Sequence, residues 1–347
     1  MPNPIQTLKT KALNAAQTIK KNPSILIKIL PIFSFIIPFL ILYYLYPASY
    51  EATWKGRTYY IFFLWLILLE LILNWEKIQI KVHKIKSTLF LVFTILLLLP
   101  TAYVIIANFH GLNTAIVNIS PKHFGNYFWA NLMPLSVEYL VFAILFPLII
   151  LVTYGIDGLK DFLVPLCLIG IIGSIYLIDN LYPYGQFTPF QIFVPTTATL
   201  AANILNLMGY QTDWVGQMYG TPVLKVWNQE GAAFFGIAWP CSGIDSLVIY
   251  SVTILLFLKN SVISWRQRTI YFIIGAAITY FINILRIATI FIIAIDYGMN
   301  SSQVQQFHNY YGALYSITWI ATYPLIIIGT QTLWRKIRKR EKNKVQI

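Results

Sequence analysis

The chain has 347 residues, of which 58% are hydrophobic and 11% charged, with a formal net charge of +13. That much apolar surface is more than a soluble core of this size hides, so the chain is expected to dissolve in lipid. Nucleic-acid binding does not account for the basic excess, because Lys and Arg flank apolar runs instead of gathering on one soluble face. Two cysteines, Cys167 and Cys241, are too few for a disulfide framework.

The first 24 residues are polar, carry Lys9, Lys11, Lys20 and Lys21, and show no cleavage signal ending in small residues, so the first apolar helix is expected to stay as an anchor. Eight segments approach the roughly 20 residues that a hydrocarbon core of about 30 Å requires. They are Ile27–Tyr46, Thr58–Trp75, Thr88–Ala107, Pro134–Thr153, Phe162–Ile178, Gly243–Leu258, Ile270–Ile295 and Tyr310–Trp334. Prolines inside them, such as Pro31, Pro38, Pro147, Pro165 and Pro324, are tolerated where neighbouring helices satisfy the freed backbone groups.

Counting Lys and Arg in alternate loops orients the chain. With the N-terminus inside, the cytoplasmic side holds 20, including Lys28, Lys77 to Lys86, Lys160, Lys259, Arg266, Arg268 and the tail from Arg335 to Lys344. The outer side holds Lys55, Arg57, Lys122 and Lys225, and Arg286 alone lies deep inside a span. Both sequons, Asn118-Ile119-Ser120 and Asn300-Ser301-Ser302, fall in outer loops under this assignment. The segment Phe190 to Met208 is long enough to cross but carries Thr196, Thr197, Thr199, Asn203 and Asn206, and a crossing there would invert every later loop. It is read as an interfacial or re-entrant helix on the outer face, followed by an outer loop with short β-like alternation from Trp214 to Trp239. The expected fold class is thus an all-α integral membrane protein of about eight transmembrane helices. Residues 1–347 form a single polytopic domain in the cytoplasmic membrane with both termini in the cytoplasm, and an extracytoplasmic insertion, 180–240, precedes the sixth helix.

Ionisable or nucleophilic groups inside a membrane are costly, so each is a functional candidate. Cys241 lies in Trp239-Pro240-Cys241-Ser242-Gly243 at the mouth of the sixth helix. A lone membrane cysteine is more often a small buried hydrophobe. Here the opening of a helix offers backbone N–H groups beside the sulfur, a setting that lowers a thiol pKa from about 8.5 and can hold an oxyanion. Cys167, midway along the fifth helix among Leu and Ile, lacks that setting. Thr279, Asn283 and Arg286 recur at helical spacing and define one polar stripe facing the bundle interior. Arg286 lies nine residues from the predicted helix end, about 14 Å, deeper than Cys241, so snorkelling or a water-filled cavity is expected to close the gap. His308, where the eighth helix begins, adds an imidazole on the same side. A thiol, an imidazole and a guanidinium are the nucleophile, general base and acid, and anion stabiliser of cysteine acyl transfer. Each also has a structural explanation: an ion pair or pore charge for Arg286, an ordinary interfacial residue for His308. Glu70 and Glu138 sit near span ends and are expected to reach the interface. Asp245 shares a face with the thiol, where it could pair with Arg286 or orient His308. His83, His110 and His123 lack comparable neighbours, and no spacing implies a metal site or a cofactor.

Cys241-Ser242-Gly243 at a helix start, Arg286 after Asn283 in the next helix, and His308 before the last together resemble the exosortase/archaeosortase family of polytopic membrane cysteine transpeptidases. The likeness covers Phe190 to Trp334, and the first five helices agree in hydropathy. It implies that Cys241, Arg286 and His308 are catalytic and that no cofactor is needed. It also implies substrates that are secreted proteins ending in a short motif, a transmembrane helix and a basic cluster, and transfer of the new carboxyl end to a lipid or another amine or hydroxyl acceptor. Some archaeal members carry Arg where this chain has His308. The competing classes are a transporter or lipid flippase with an anion-binding arginine, which an inverted repeat would favour and none is seen, and a purely hydrolytic intramembrane cysteine protease.

Overall fold

The computed structural model describes residues 23–51, 55–80, 88–120, 130–182, 188–218, 221–259 and 263–345. Lys9 to Lys21, Lys81 to Lys86, Lys122, His83 and His123 lie outside the described residues. All eight apolar segments are helical: α1 (Pro23–Leu45), α2 (Thr58–Leu73), α3 (Thr88–Phe109), then after a short α4 (Leu112–Ile119) come α5 (Met133–Asp161) and α6 (Leu163–Leu181). After the short α7 (Thr188–Gln191) and α8 (Val194–Leu207) follow three strands, and then α9 (Ile244–Lys259), α10 (Trp265–Tyr297), a short α11 (Ser302–Gln306) and α12 (Gly312–Val345). Among the described residues, six helices are long and apolar enough to cross a membrane, while α2 and α9, at 16 residues each, fall short of that length. Large apolar side chains point outward along them, among them Leu98 at 62% exposure and Ile273 at 60%, the reverse of a soluble bundle.

By its internal contacts the chain divides into two compact units. The first, which ends at Leu177, is built on α1, α2, α3 and α5. Phe35 is its pivot, with edge-on contacts to Phe63, Phe142 and Phe146 at ring-centroid distances of 5.4 to 5.7 Å, a favoured aromatic geometry. Sequence reasoning sends Glu138 to the interface. The structure instead buries it against Arg57 in a two-pronged pair, Nε to Oε1 at 2.8 Å and Nη2 to Oε2 at 2.7 Å. The fork shape of guanidinium allows both bonds at once. Arg57 also donates to Ser49 Oγ and lies over the Tyr46 ring, so neither charge is left uncompensated.

The second unit, from Ile178, holds the insertion and the last three long helices. β1 (Gln211–Met218), β2 (Thr221–Trp227) and β3 (Ala232–Gly236) form an antiparallel sheet in that order, registered by Trp214 opposite Leu224 and Leu224 opposite Phe235. The alternation read over Trp214 to Trp239 therefore resolves into a sheet. α8 has 14 residues, about 21 Å of helix, which is too short to cross. Its inner face buries Val194, Ala198, Ala201 and Leu205, spaced as one helical stripe, and Thr197 bonds Tyr280 of α10 at 2.7 Å. Ile192, Phe193 and Leu207 point the other way and are exposed. α10 starts at a capping box, in which Ser264 accepts from the Gln267 N–H. It runs 33 residues, about 50 Å, well beyond one hydrocarbon thickness. Its far end carries the sheet and α11, as shown by Phe235 packed on Phe291 at 5.2 Å. At its near end Tyr250 of α9 and Tyr323 of α12 donate hydroxyls to the carbonyls of Phe272 and Tyr271, tying the three helices together.

Candidate active site

α10 supplies the frame, because its polar stripe gives each neighbouring element one partner. Thr279 accepts from the Trp319 indole of α12 at 3.1 Å. One turn on, the buried Asn283 donates Nδ2 to the carbonyl of Cys241 at 3.0 Å. Less than a turn further, Arg286 donates Nη2 to the carbonyl of His308 at 2.6 Å. The stripe expected from the spacing faces inward, with Thr279 and Asn283 fully buried.

Cys241 stands in a 3-10 turn, Trp239–Ser242, that the buried Trp239 anchors against Phe190. The turn is held by the Cys241 N–H bonding back to Ala238 O at 2.9 Å and by Ser242 Oγ donating to Trp239 O at 2.6 Å. Gly243 then takes φ +89°, a left-handed conformation that glycine adopts without a Cβ penalty, and α9 proper begins only at Ile244. The thiol is thus placed ahead of the helix and its own N–H is committed. Consequently the expected fall in thiol pKa is absent: burial pushes it up, Arg286 and a backbone contact with Ala238 oppose that, and Asp245 and Asp179 push it up further.

The depth gap expected between Arg286 and Cys241 is narrowed by packing of the flanking turns against α10. The Cys241 carbonyl already meets Asn283, three residues nearer the helix middle than Arg286. On the other side a π-helical turn, Phe307–Tyr311, reaches Arg286. In that turn the Gly312 N–H bonds to Phe307 O, the His308 carbonyl accepts the guanidinium, and such π turns recur at functional sites. Gly312 itself packs on Arg286: a Cβ there would lie 2.7 Å from Nε and 2.9 Å from Cγ.

The three residues singled out are therefore held unequally. Arg286 sits within electrostatic reach of the Cys241 thiol and grips the main chain of His308. The imidazole of His308 is exposed, and its Nδ1 bonds to Asn309 Oδ1 at 3.1 Å. Asp245 closes no ion pair with Arg286 among the described residues: its Oδ1 is buried without a hydrogen-bond partner, and so is Arg286 Nε. Asp179, at the end of α6 and buried to 2% exposure, was passed over in the sequence. Its signal was a carboxylate followed by Asn180 where an apolar run stops. Cys167 is exposed on α6 among apolar residues.

A multi-pass apolar bundle with a cysteine, an arginine and a histidine gathered on one helix frame defines a class of membrane-embedded proteins with a thiol site. The chain belongs to the transmembrane exosortase family, whose family model matches residues 53–325. The match reaches into both compact units and takes in the second to fifth apolar segments, where hydropathy alone is legible in the sequence. No curated protein and no solved structure matches the chain.

Proposed function

We propose that this protein is a membrane cysteine transpeptidase that cleaves C-terminal sorting signals of secreted proteins and transfers the new carboxyl end to a membrane or surface acceptor. The observation that carries the reading is the shared frame of α10, on which Asn283 fixes the main chain of Cys241 one turn from the guanidinium of Arg286. Membership of the exosortase family supports the same chemistry.

The Cys241 sulfur attacks a substrate carbonyl as its S–H proton passes to the neutral imidazole of His308, giving a tetrahedral intermediate whose oxyanion Arg286 stabilises. The C–N bond breaks to leave a thioester. The His308 imidazolium so formed gives its proton to the leaving amine and, as the imidazole again, removes one from the acceptor that resolves the thioester and returns it to the departing Cys241 sulfur. We place both termini in the cytoplasm, all eight helices across the membrane, and the site on the extracytoplasmic side. From Arg268 to Arg286 is 18 residues, about 27 Å of helix, close to one hydrocarbon thickness. Arg286 then lies near the outer boundary, where a guanidinium is affordable. A groove of about 500 Å³ along α12, lined by Leu314, Tyr315, Thr318 and Trp319, begins beside Gly312 and favours lateral entry of a substrate helix.

Cys241→Ala tests the reading. The variant should insert normally and leave the signal of a candidate substrate uncleaved, while Cys167→Ala should process it as before. Full processing by Cys241→Ala would remove the cysteine mechanism, and release of a free carboxylate without an acceptor adduct would make the enzyme a hydrolase.

A further inference from the structure

The two sequons play no part in the mechanism above, and the fold treats them differently. Asn300-Ser301-Ser302 lies beyond the end of α10, in a turn closed by the Ser301 N–H bonding to Gly298 O at 3.1 Å. Gly298 takes φ +90° there, so the chain leaves the helix sharply. Asn300 and Ser302 are exposed, and the Asn300 amide makes no hydrogen bond among the described residues. Drawing this sequon out into an extended strand disturbs little. It gives up the Ser301 cap on the Val304 N–H at 3.3 Å and a contact of Ser302 Oγ with Gln303 Oε1 at 3.2 Å, both at the start of the five-residue α11. Asn118-Ile119-Ser120 is the opposite case. Asn118 belongs to α4, and Ser120 is buried at 7% exposure with its Oγ donating to Ile116 O at 2.7 Å. The hydroxyl that the motif requires is engaged there, and the asparagine is held in a helix.

Height above the membrane separates them again. With Arg286 near the outer boundary, as the proposed topology has it, α10 continues to Tyr297, roughly 17 Å further. That distance exceeds the roughly 5–8 Å of headgroups on one side of a bilayer, so Asn300 stands in water. α3 has 22 residues, about 33 Å, which is one hydrocarbon thickness. α4 starts three residues after α3 ends and is tied back to it by Asn113 Nδ2 donating to Asn108 Oδ1 at 3.0 Å, so Asn118 stays close to the boundary. Beside the outer turn, Tyr297 and Phe234 are both exposed, and the Phe234 N–H bonds to the Met299 sulfur at 3.3 Å. Two aromatic faces left open to water next to an acceptor asparagine suit the C–H face of a sugar ring.

We propose that Asn300 is an N-glycosylation site, modified by a transferase on the extracytoplasmic side, and that Asn118 is left bare. The inference rests on the topology proposed above. The Asn300 side-chain nitrogen forms a bond to the anomeric carbon of a lipid-linked oligosaccharide. The bond from that carbon to the phosphate oxygen breaks, the lipid phosphate leaves with the electron pair, and one amide proton goes to a base of the transferase. Peptide mass spectrometry on the full chain purified from its own membranes reads the result. The peptide holding Asn300 should carry added sugar mass, and the peptide holding Asn118 should not. Asn300→Gln and Ser302→Ala should each abolish the addition, whereas Asn118→Gln should leave it. A bare Asn300, or sugar on Asn118, overturns the proposal. Asn300→Cys in a chain with Cys167→Ala and Cys241→Ala tells the two possible failures apart. If a membrane-impermeant thiol reagent labels it in intact cells while Asn300 of the parent is bare, glycosylation alone is refuted; labelling only after permeabilisation refutes the topology and the proposal with it.

Discussion

Gly243→Ala isolates the device that holds the nucleophile. At φ +89° an alanine incurs a left-handed cost of about 1 kcal/mol or somewhat more. Its Cβ would also sit 2.9 Å from both Cγ and Nδ2 of Asn283, closer than real Cβ contacts come, and a tight 3.1 Å from Asn283 Cβ. Asn283 is buried at 2% exposure and bonded to the Cys241 carbonyl, so it has little room to retreat, and overpacking of this kind costs roughly 1–3 kcal/mol. The sum, roughly 2–4 kcal/mol, should appear as a lower melting temperature of the purified protein. Processing should fall further than the folded fraction, because a shift of about 1 Å at a reacting group can cost on the order of 100-fold in rate. Asn283→Ala alone should also destabilise, since it leaves the Cys241 carbonyl without its donor. In the double variant the overlap with the amide is gone, so the two losses should combine to less than their sum by about 1 kcal/mol or more. Strict additivity, or a Gly243→Ala protein as stable and as active as the parent, would refute the packing argument.

Arg286→Lys should fold almost normally, because Lys can still reach the His308 carbonyl, yet turnover should fall at least about tenfold without the planar fork; reduced folded protein with normal turnover of the remainder would make the residue structural. His308→Ala should leave stability within about 0.5 kcal/mol, since Arg286 holds the main chain there, while processing falls by roughly 100-fold or more. A thermal melt and a processing assay on the same preparation separate the two. Glu138→Ala should destabilise by about 3–5 kcal/mol by stranding buried Arg57, and Arg57→Met with Glu138→Leu should recover most of it; a single variant that melts like the parent counts against the buried pair. With Cys241 as the sole cysteine, a membrane-impermeant thiol reagent should label intact cells, whereas labelling only after permeabilisation would invert the topology. Because burial raises the Cys241 thiol pKa, and a raised thiol pKa means the folded state holds its proton more tightly, stability should decline as pH rises above the usual thiol value of about 8.5. Cys241→Ser should flatten that decline, and an equal decline in both proteins would count against a buried, protonated thiol.

The helices were legible because an unbroken apolar run has one stable answer in lipid. All eight segments are helical, and the polar stripe of α10 follows from a period of 3.6 residues alone. What escaped were features set by tertiary contact. Glu138 looked like an interfacial residue because its partner, Arg57, is 81 residues away in sequence. Pro-Cys-Ser-Gly reads as a helix start, while the chain inserts a 3-10 turn and a left-handed Gly243 before the helix begins, so the thiol lacks the free N–H groups of a helix end. The depth of Arg286 looked like a problem because hydropathy trimmed α10 at Ile295 and gave no sign that flanking turns descend to meet it. Asp179 was hidden by its place at the close of an apolar run, where a carboxylate is ordinarily solvated.

The π turn at Phe307–Tyr311 means that Arg286 addresses position 308 through a main-chain oxygen, which every amino acid possesses. The grip on the guanidinium is therefore indifferent to the side chain that 308 carries. Replacing that side chain is therefore expected to leave the hold on Arg286 intact. A single extra residue in one helical turn thus separates the contact that fixes the guanidinium from the side chain that position 308 presents.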